Sequence, residues 1–417
     1  VAWFAHKHGR IDWLESNNEF WLEQDAHLRE DFNINTGDKT KDVMRYKLKS
    51  NMKKYYLEAG VPCARWHLVS TLEAGKNFIK EVGYPVIVKP DDGVGANGTW
   101  KISSDKELED FYRQNLKVQY IMEEYVPGYI VSFDGITDQD GNIIFKTSHT
   151  FPEPIMDVVN ESDECCYWSE RVIPDDLDDM GTRVIKAFKI RGRFFHTEYF
   201  RLTEDKPSLG KKGGLVGLEV NMRPPGGYTP DMMNFANDIN VYNIYANMCM
   251  YNHGLYQTDR PYYCVYVGKR DRLKYANSDA AVFRRYGSNI CMHERMPGIL
   301  GSAMGDDMYI ARFKTIDDVK KFISDLGTVP ALRCYLLISS CIEESEAESN
   351  YALDKAGKLL KNTDEVFLDS EKALLQHDKD FVAKLHPSWK LYPLPWEEKK
   401  EEEDESNRNE KEDEEKK

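Results

Sequence analysis

The chain has 417 residues, 41% of them hydrophobic and 12% aromatic, which suits a protein with a sizeable buried core and not a disordered one. Its net charge is −15, and residues 397–417, with twelve acids against six bases, carry −6 of it and leave −9 for the rest. An acidic body argues against general nucleic-acid binding, no apolar run reaches membrane-spanning length, and no signal peptide opens the chain. The eight cysteines form no CxxC pair and no His/Cys metal spacing, as expected of reduced thiols in a cytoplasmic protein.

In chain order, Glu15 to Phe32 predicts a polar helix and Lys39 to Ala59 a second helical run, ended by Gly60-Val61-Pro62. A third helix runs from Thr71 to Val82, capped by Ser70 or Thr71 and closed at Gly83. Tyr84 to Pro90 then reads as a short buried strand carrying Lys89 near its end. It runs into the glycine loop Asp91 to Gly98, a new strand begins at Thr99, and a helix follows Ser104. Gln119 to Val126 is a strand, and Ile130 to Ile136 and Ile143 to Phe151 form a hairpin across Asp138-Gln139-Asp140-Gly141. A helix from Asp176 to Lys189 leads to two strands, 194–200 and 217–223, joined by a Gly/Lys/Pro-rich turn. After the loop Pro224 to Gly227 come one helical run, Met232 to Tyr251, and strands at 262–267, 290–294 and 308–313. Helices are expected at Ser278–Tyr286 and Thr315–Leu326. From Val329 the fold signals weaken, into a mixed-charge helical segment, a linker (386–396) and an acidic low-complexity end expected to be disordered.

The most informative pair of strands is 194–200 with 217–223. Side chains alternate faces along a strand, so Glu219, Asn221 and Arg223 share a face, and Glu198 can meet it across an antiparallel ladder. Two carboxylates and an amide oxygen are hard ligands suited to Mg²⁺, with a guanidinium just beyond. The alternative is an ordinary hairpin with a wet polar face. Gly93, Gly95 and Gly98 have the GxGxxG spacing, but a strand follows where a dinucleotide fold needs a helix, so a phosphate-covering loop fits better than a Rossmann turn, with a plain hairpin turn as the alternative. Lys89 ends its strand where it can reach such a phosphate, the alternative being a strand-end lysine that snorkels to water.

Order gives these pieces a common meaning. Lysine, glycine loop, Glu-Glu strand and then Glu…Glu-x-Asn-x-Arg is the succession found in the ATP-grasp superfamily, which this chain resembles from about Gly37 to Phe322. Leu48-Lys49-Ser50-Asn51-Met52-Lys53 looks like that family's lysine–x–x–Met helix. Gly83 to Pro90 looks like its first core strand, Met122 to Gly128 its hinge strand, and Leu218 to Pro224 its metal-binding strand. The resemblance implies an α+β ATP-grasp fold, two α+β subdomains clasping ATP, and gives the residues roles. Lys49 and Lys89 would hold phosphates, and Gly93, Gly95 and Gly98 would form the lid loop. Glu123, with backbone groups of Glu124 and Val126, would meet the adenine. Glu198, Glu219 and Asn221 would hold Mg²⁺ (Mn²⁺ as an alternative), and Arg223 would stabilise the transferred phosphoryl group. Where the family often has Gly-x-Glu for the ribose, this chain has Gly128-Tyr129-Ile130, which shifts the expected ribose contact to Asp134.

The domain expectations follow. Residues 1–37 would be the end of a truncated domain preceding the grasp, and 38–250 the grasp itself, with a lid part (38–128) and a metal-binding core (129–250). Residues 251–328 would be an α/β extension, 329–396 a helical segment with linker, and 397–417 an acidic tail. The implied activity is ATP-dependent ligation, a carboxylate activated as acyl phosphate and joined to an amine. The substrates would be small molecules, amino acids among them, with neither nucleic acid nor membrane as partner. His149, at a strand end before Phe151-Pro152, is a candidate for the acceptor pocket or a hydrogen-bonded structural residue. The rival readings are an ATP-binding protein without ligation, kinase-like or degenerate, and an interaction protein using its acidic tail.

Overall fold

The computed structural model describes residues 1–93, 98–152, 165–252 and 259–328. Gly95 and the expected helical segment, linker and tail beyond residue 328 therefore lie outside the described residues. The chain divides into two compact units, one of residues 1–272 with 280–324, the other of 273–279 with 325–417. In the second, the described residues form a short closure: Ala276 N donates to Gly327 O at 3.2 Å and Asn277 Nδ2 to Asp325 O at 2.8 Å.

The first unit holds two antiparallel sheets. Strands β1 (Trp66–Leu68), β2 (Val86–Pro90), β3 (Trp100–Ile102) and β4 (Tyr120–Glu124) form the smaller, in the order β1-β4-β2-β3. Its apolar face carries Val86, Val88, Ile102 and Met122 and packs on Phe78, Ile79, Leu108 and Phe111 from the helices Leu72–Val82 and Asp105–Tyr112. Both helices start at a side-chain cap, Thr71 accepting from Ala74 N and Ser104 from Glu107 N, which satisfies donors a helix start otherwise leaves open.

The larger sheet has eight strands: β5 (Gly128–Thr137), β6 (Ile143–Phe151), β7 (Cys165–Ser169), β8 (Arg193–Leu202), β9 (Leu215–Asn221), β10 (Tyr263–Lys269), β11 (Ile290–Arg295) and β12 (Asp307–Phe313). Their order is β11-β12-β10-β7-β6-β5-β8-β9, which leaves β9 at an edge. One face buries Val131, Phe133, Phe195 and Tyr199 against Tyr56, Leu177 and Val184; the other buries Tyr167, Tyr266, Met308 and Ile310 with Met232. Strands β10 to β12, from the expected α/β extension, continue this sheet.

Several elements differ from expectation for tertiary reasons. The run 39–59 breaks into helices Thr40–Lys47 and Lys49–Glu58, because Leu48 leaves the helix (φ −95°, ψ 122°) to bridge Asp92. The run 232–251 breaks into Thr229–Asn237 and Val241–Tyr251 at Asp238, whose φ is +49°. Strands β1 and β7 and the helices Ala2–His8 and Gly298–Met304 were not anticipated. Among the described residues, no helix is long and apolar enough to cross a membrane.

Candidate functional site

A cavity of about 330 Å³ lies between β2 and β4 of the smaller sheet and β5, β8 and β9 of the larger. Every described residue expected to act on nucleotide or metal lines it, except Gly93, Gly98 and Asp134.

One wall of the cavity is cationic, built from the helix Lys49–Glu58, whose Met52 and Tyr56 pack on the larger sheet, and from β2. Lys49 and Lys53 stand one helical turn apart on the helix Lys49–Glu58, so they share a face. Lys89 comes from β2. The Glu123 carboxylate on β4 sits between two of these ammonium groups, with Lys53 Nζ 2.6 Å from one oxygen and Lys89 Nζ 2.7 Å from the other. Burial alone would raise the Glu123 carboxyl, but the two lysines outweigh it and hold it down at about 2. Burial likewise works against the charged Lys89, yet Glu123, Glu219 and Glu198 leave its ammonium above the usual lysine range. The Glu123 side chain is thus engaged by lysines on both oxygens. Glu124 points elsewhere: it accepts from Arg65 N at 2.9 Å, Arg65 Nη2 at 2.8 Å and Ser208 Oγ at 2.9 Å. Val126 lines the cavity beside Tyr125.

The larger sheet supplies an acidic edge. Register sets Glu198 directly opposite Glu219 and His196 opposite Asn221. A bulge after Glu198 brings in Gly217, where a Cβ would come within 2.7 Å of the Tyr56 ring, so a side chain there would push the edge away from the helix Lys49–Glu58. Lys49 Nζ is 3.1 Å from Glu219 and also donates to Gly93 O at 2.6 Å, tying the start of the glycine loop to the acidic edge. Burial disfavours the charged Glu219, but Lys49, Lys89 and Arg223 prevail and keep its carboxyl below the usual range.

Behind this edge runs a fully buried network. Asp134 takes His196 Nδ1 at 2.5 Å on one oxygen, and His149 Nδ1 at 2.7 Å and Ser132 Oγ at 2.5 Å on the other. His196 Nε2 lies 3.3 Å from Glu198. Burial disfavours the imidazolium, yet the Asp134 and Glu198 carboxylates carry His196 up to about 10, so it is charged at neutral pH. Asp134, with both oxygens engaged and no exposure, is an anchor for two histidines and not a ribose contact. His149, equally buried, belongs to that network and not to this cavity's lining.

Glu198, Glu219 and Asn221 bring hard oxygen donors together at one place. The two carboxylates oppose each other across one ladder with the Asn221 amide one alternation on. Each carboxylate has only one oxygen engaged at these contacts, which fits a hard divalent ion. Among the described residues, no group of three or more His, Cys, Asp or Glu side chains is placed to hold a metal; the set here is two carboxylates and an amide.

Two residues of the site were missed in the sequence. Lys53 carried a signal, its spacing of four from Lys49. Glu19 carried none, lying in a polar stretch far from every motif. It opens the short 3₁₀ turn Glu19–Trp21, and its Oε2 accepts from Arg223 Nε at 3.0 Å. Burial pushes its carboxyl up to about 7, against the pull of Arg223 and with the help of Glu219.

Residues 47–150 match the family described as carbamoyl-phosphate synthase L chain, ATP binding domain. The carbamoyl phosphate synthase large chain, N-terminal section, of Methanopyrus kandleri is 26% identical over 124 residues, 28% of this chain and 22% of that protein; the match thus spans about a fifth of that relative's length. Among solved structures, an L-amino acid ligase from Bacillus licheniformis is similar at 14% identity and TM-score 0.57, over 77% of this chain and 80% of that one. The biotin carboxylase domain of 2-oxoglutarate carboxylase from Hydrogenobacter thermophilus, in complex with MgADP, ADP and bicarbonate, is similar at 14% identity and TM-score 0.55, over 82% and 80%. A carboxyaminoimidazole ribonucleotide synthase from Aspergillus clavatus, complexed with ATP, is similar at 12% identity and TM-score 0.54, over 72% and 77%.

Proposed function

Since the chain has the ATP-grasp fold, we propose that it is an ATP- and Mg²⁺-dependent ligase. It activates a small-molecule carboxylate as an acyl phosphate and joins it to an amine. The observation that carries this reading is the pairing of two unlike walls across one cavity, lysines on one side and Glu198, Glu219, Asn221 and Arg223 on the other. Solved relatives of the same architecture bind ATP or MgADP, which supports the same use of the cavity here.

A carboxylate is a poor electrophile, and a mixed anhydride with phosphate is a good one. In the first step a carboxylate oxygen attacks the γ-phosphorus, the bond to the bridging oxygen breaks, and ADP leaves. In the second the amine attacks the acyl carbon, inorganic phosphate leaves with the bonding pair, and the nitrogen gives up a proton. Phosphoryl transfer is mainly positioning and charge neutralisation. Lys49, Lys53 and Lys89 supply positive charge for the triphosphate. Glu198, Glu219 and Asn221 would hold Mg²⁺, which supplies charge neutralisation at the phosphate oxygens when bound. Arg223, with Nε and Nη1 held by Glu19 and Pro224, would present Nη2 and its two N–H groups to the phosphoryl oxygens. The glycine loop, with Gly93 tied to Lys49, covers the phosphates.

The rival without ligation is disfavoured because all four members of the Glu/Glu/Asn/Arg set line one cavity. Release of phosphate from ATP and Mg²⁺ with a panel of amino acids tests the proposal. Release that depends on both a carboxylate and an amine, with a condensed product by mass spectrometry, is expected. Turnover indifferent to the panel would favour a kinase-like or hydrolytic member, and no turnover an ATP binder or an interaction protein.

A further inference from the structure

We infer that Glu19 is a positioning residue for Arg223, so that the N-terminal segment completes the reactive end of the site; this rests on the ligase reading above. Arg223 faces the cavity, whereas Glu19 stands behind it, outside the lining. The guanidinium is planar, and two of its three nitrogens are fixed: Nε donates to Glu19 Oε2 at 3.0 Å and Nη1 to Pro224 O at 3.0 Å. A planar group held at two corners has its third corner set. That corner, Nη2, has no protein partner among the described residues.

Glu19 is itself held from a rigid base. Glu15, four residues earlier, pairs with Arg29 at 2.7 Å and Arg193 at 3.1 Å, and all three side chains are almost fully buried. The same Arg193 nitrogen donates to Met222 O at 2.7 Å, the carbonyl between Asn221 and Arg223. Arg29 Nε holds Leu14 O at 2.9 Å, and Asn18 Oδ1 caps the 3₁₀ turn by accepting from Phe20 N at 3.0 Å. One segment therefore fixes both the backbone leading into Arg223, through Arg193, and the side chain of Arg223, through Glu19. A pair that only stapled the segment would not need to seize the one arginine that lines the cavity among the described residues.

The test uses the full chain with Glu19→Ala and Glu19→Gln, alone and combined with Arg223→Ala. Misaiming a reacting group costs between about 10- and 100-fold. Glu19→Ala is expected to lower kcat by that range with KM for ATP within about twofold, and Glu19→Gln, which keeps an acceptor, to lose less. With Arg223→Ala present, removing Glu19 should change kcat by less than about twofold. Independently of turnover, the Arg223 Nε–H resonance of ¹⁵N-arginine-labelled, ligand-free protein should be sharp in the wild type and exchange-broadened in Glu19→Ala. An active wild type whose Glu19→Ala variant keeps full kcat, or loses as much with Arg223 already removed, would overturn this inference alone. A wild type inert toward ATP and the whole panel would overturn the ligase reading and this inference with it.

Discussion

Two carboxylates beside one cavity, Glu123 in its lining and Glu19 behind it on the N-terminal segment, are both largely shielded from water and both paired, yet their affinities for a proton move in opposite directions. Glu123 has an ammonium on each oxygen and is held at about 2; Glu19 shares a single arginine, faces Glu219, and rises to about 7. The lesson is that burial sets the direction unless the partners outnumber it. It also separates the two walls by task. On the cationic wall, Lys53 and Lys89 close around the single acid Glu123. The β8–β9 edge gathers acids, arginine and imidazolium whose balance is left for a ligand to complete.

The largest effect expected from this contrast is on stability. Glu123→Gln leaves two lysines facing a neutral amide in a buried place, and removing one partner of such a cluster costs about 3–5 kcal/mol. Glu19→Gln removes a charge that burial disfavours, and is expected to hold or raise stability at pH 7. Urea denaturation of both variants checks this; equal losses would erase the distinction between the walls.

The pH dependence should separate the same two residues, with opposite signs. Glu123 titrates lower in the folded chain than its ordinary 4.5, so its stabilisation is present above pH 4.5 and is lost as pH falls toward 2. Glu19 titrates higher, so its contribution is full below pH 4.5 and is lost as pH rises through 7. Each amounts to about 3 kcal/mol on the scale of 1.36 kcal/mol per pH unit. Unfolding midpoints from pH 2 to 8 should lose the acid limb in Glu123→Gln and the 4.5–7 limb in Glu19→Gln.

Next in size is a kinetic effect at the acidic edge. Arg223→Ala is expected to lower kcat by about 10²-fold with little change in ATP binding, the loss of one charge-stabilising donor, and Arg223→Lys to restore only part of it. Strongly weakened ATP binding with normal turnover at saturation would make Arg223 a ground-state anchor instead.

The smallest effect belongs to the glycine loop's end. Gly98 has φ +73°, and a Cβ there would lie 3.3 Å from the Tyr120 hydroxyl. Gly98→Ala should lower stability by about 1 kcal/mol, read as a small drop in thermal midpoint.

What the sequence made legible was local. The shared face of Glu219, Asn221 and Arg223, which Glu198 could meet across a ladder, follows from alternation with a period of two, which a strand must obey, and the hinge strand was legible through resemblance. Lys89 was legible at the end of an apolar strand and Arg223 by its alternation with Glu219 and Asn221, whereas Lys49 was legible only through the resemblance of residues 48–53 to the ATP-grasp lysine–x–x–Met helix. The break at Leu48 was not, since helical spacing runs unbroken from Lys39 to Ala59 and only the bridge to Asp92, more than forty residues away, interrupts it. The role given to Asp134 failed for a similar reason: its two histidines come from β6 and β8, and no local pattern announces that they meet. Glu19 is the extreme case, 204 residues from its partner.

The central claim, that the β8–β9 edge takes a divalent cation together with the nucleotide while the lysine wall does not, is tested most directly by Mn²⁺ binding. Electron paramagnetic resonance can follow loss of the free Mn²⁺ signal as protein and a non-hydrolysable ATP analogue are added. The account predicts one ion bound per wild-type chain, affinity lowered at least about tenfold by Glu219→Gln or Glu198→Gln, and little change in ion affinity with Lys53→Met. Unaltered Mn²⁺ affinity in both glutamine variants would contradict it.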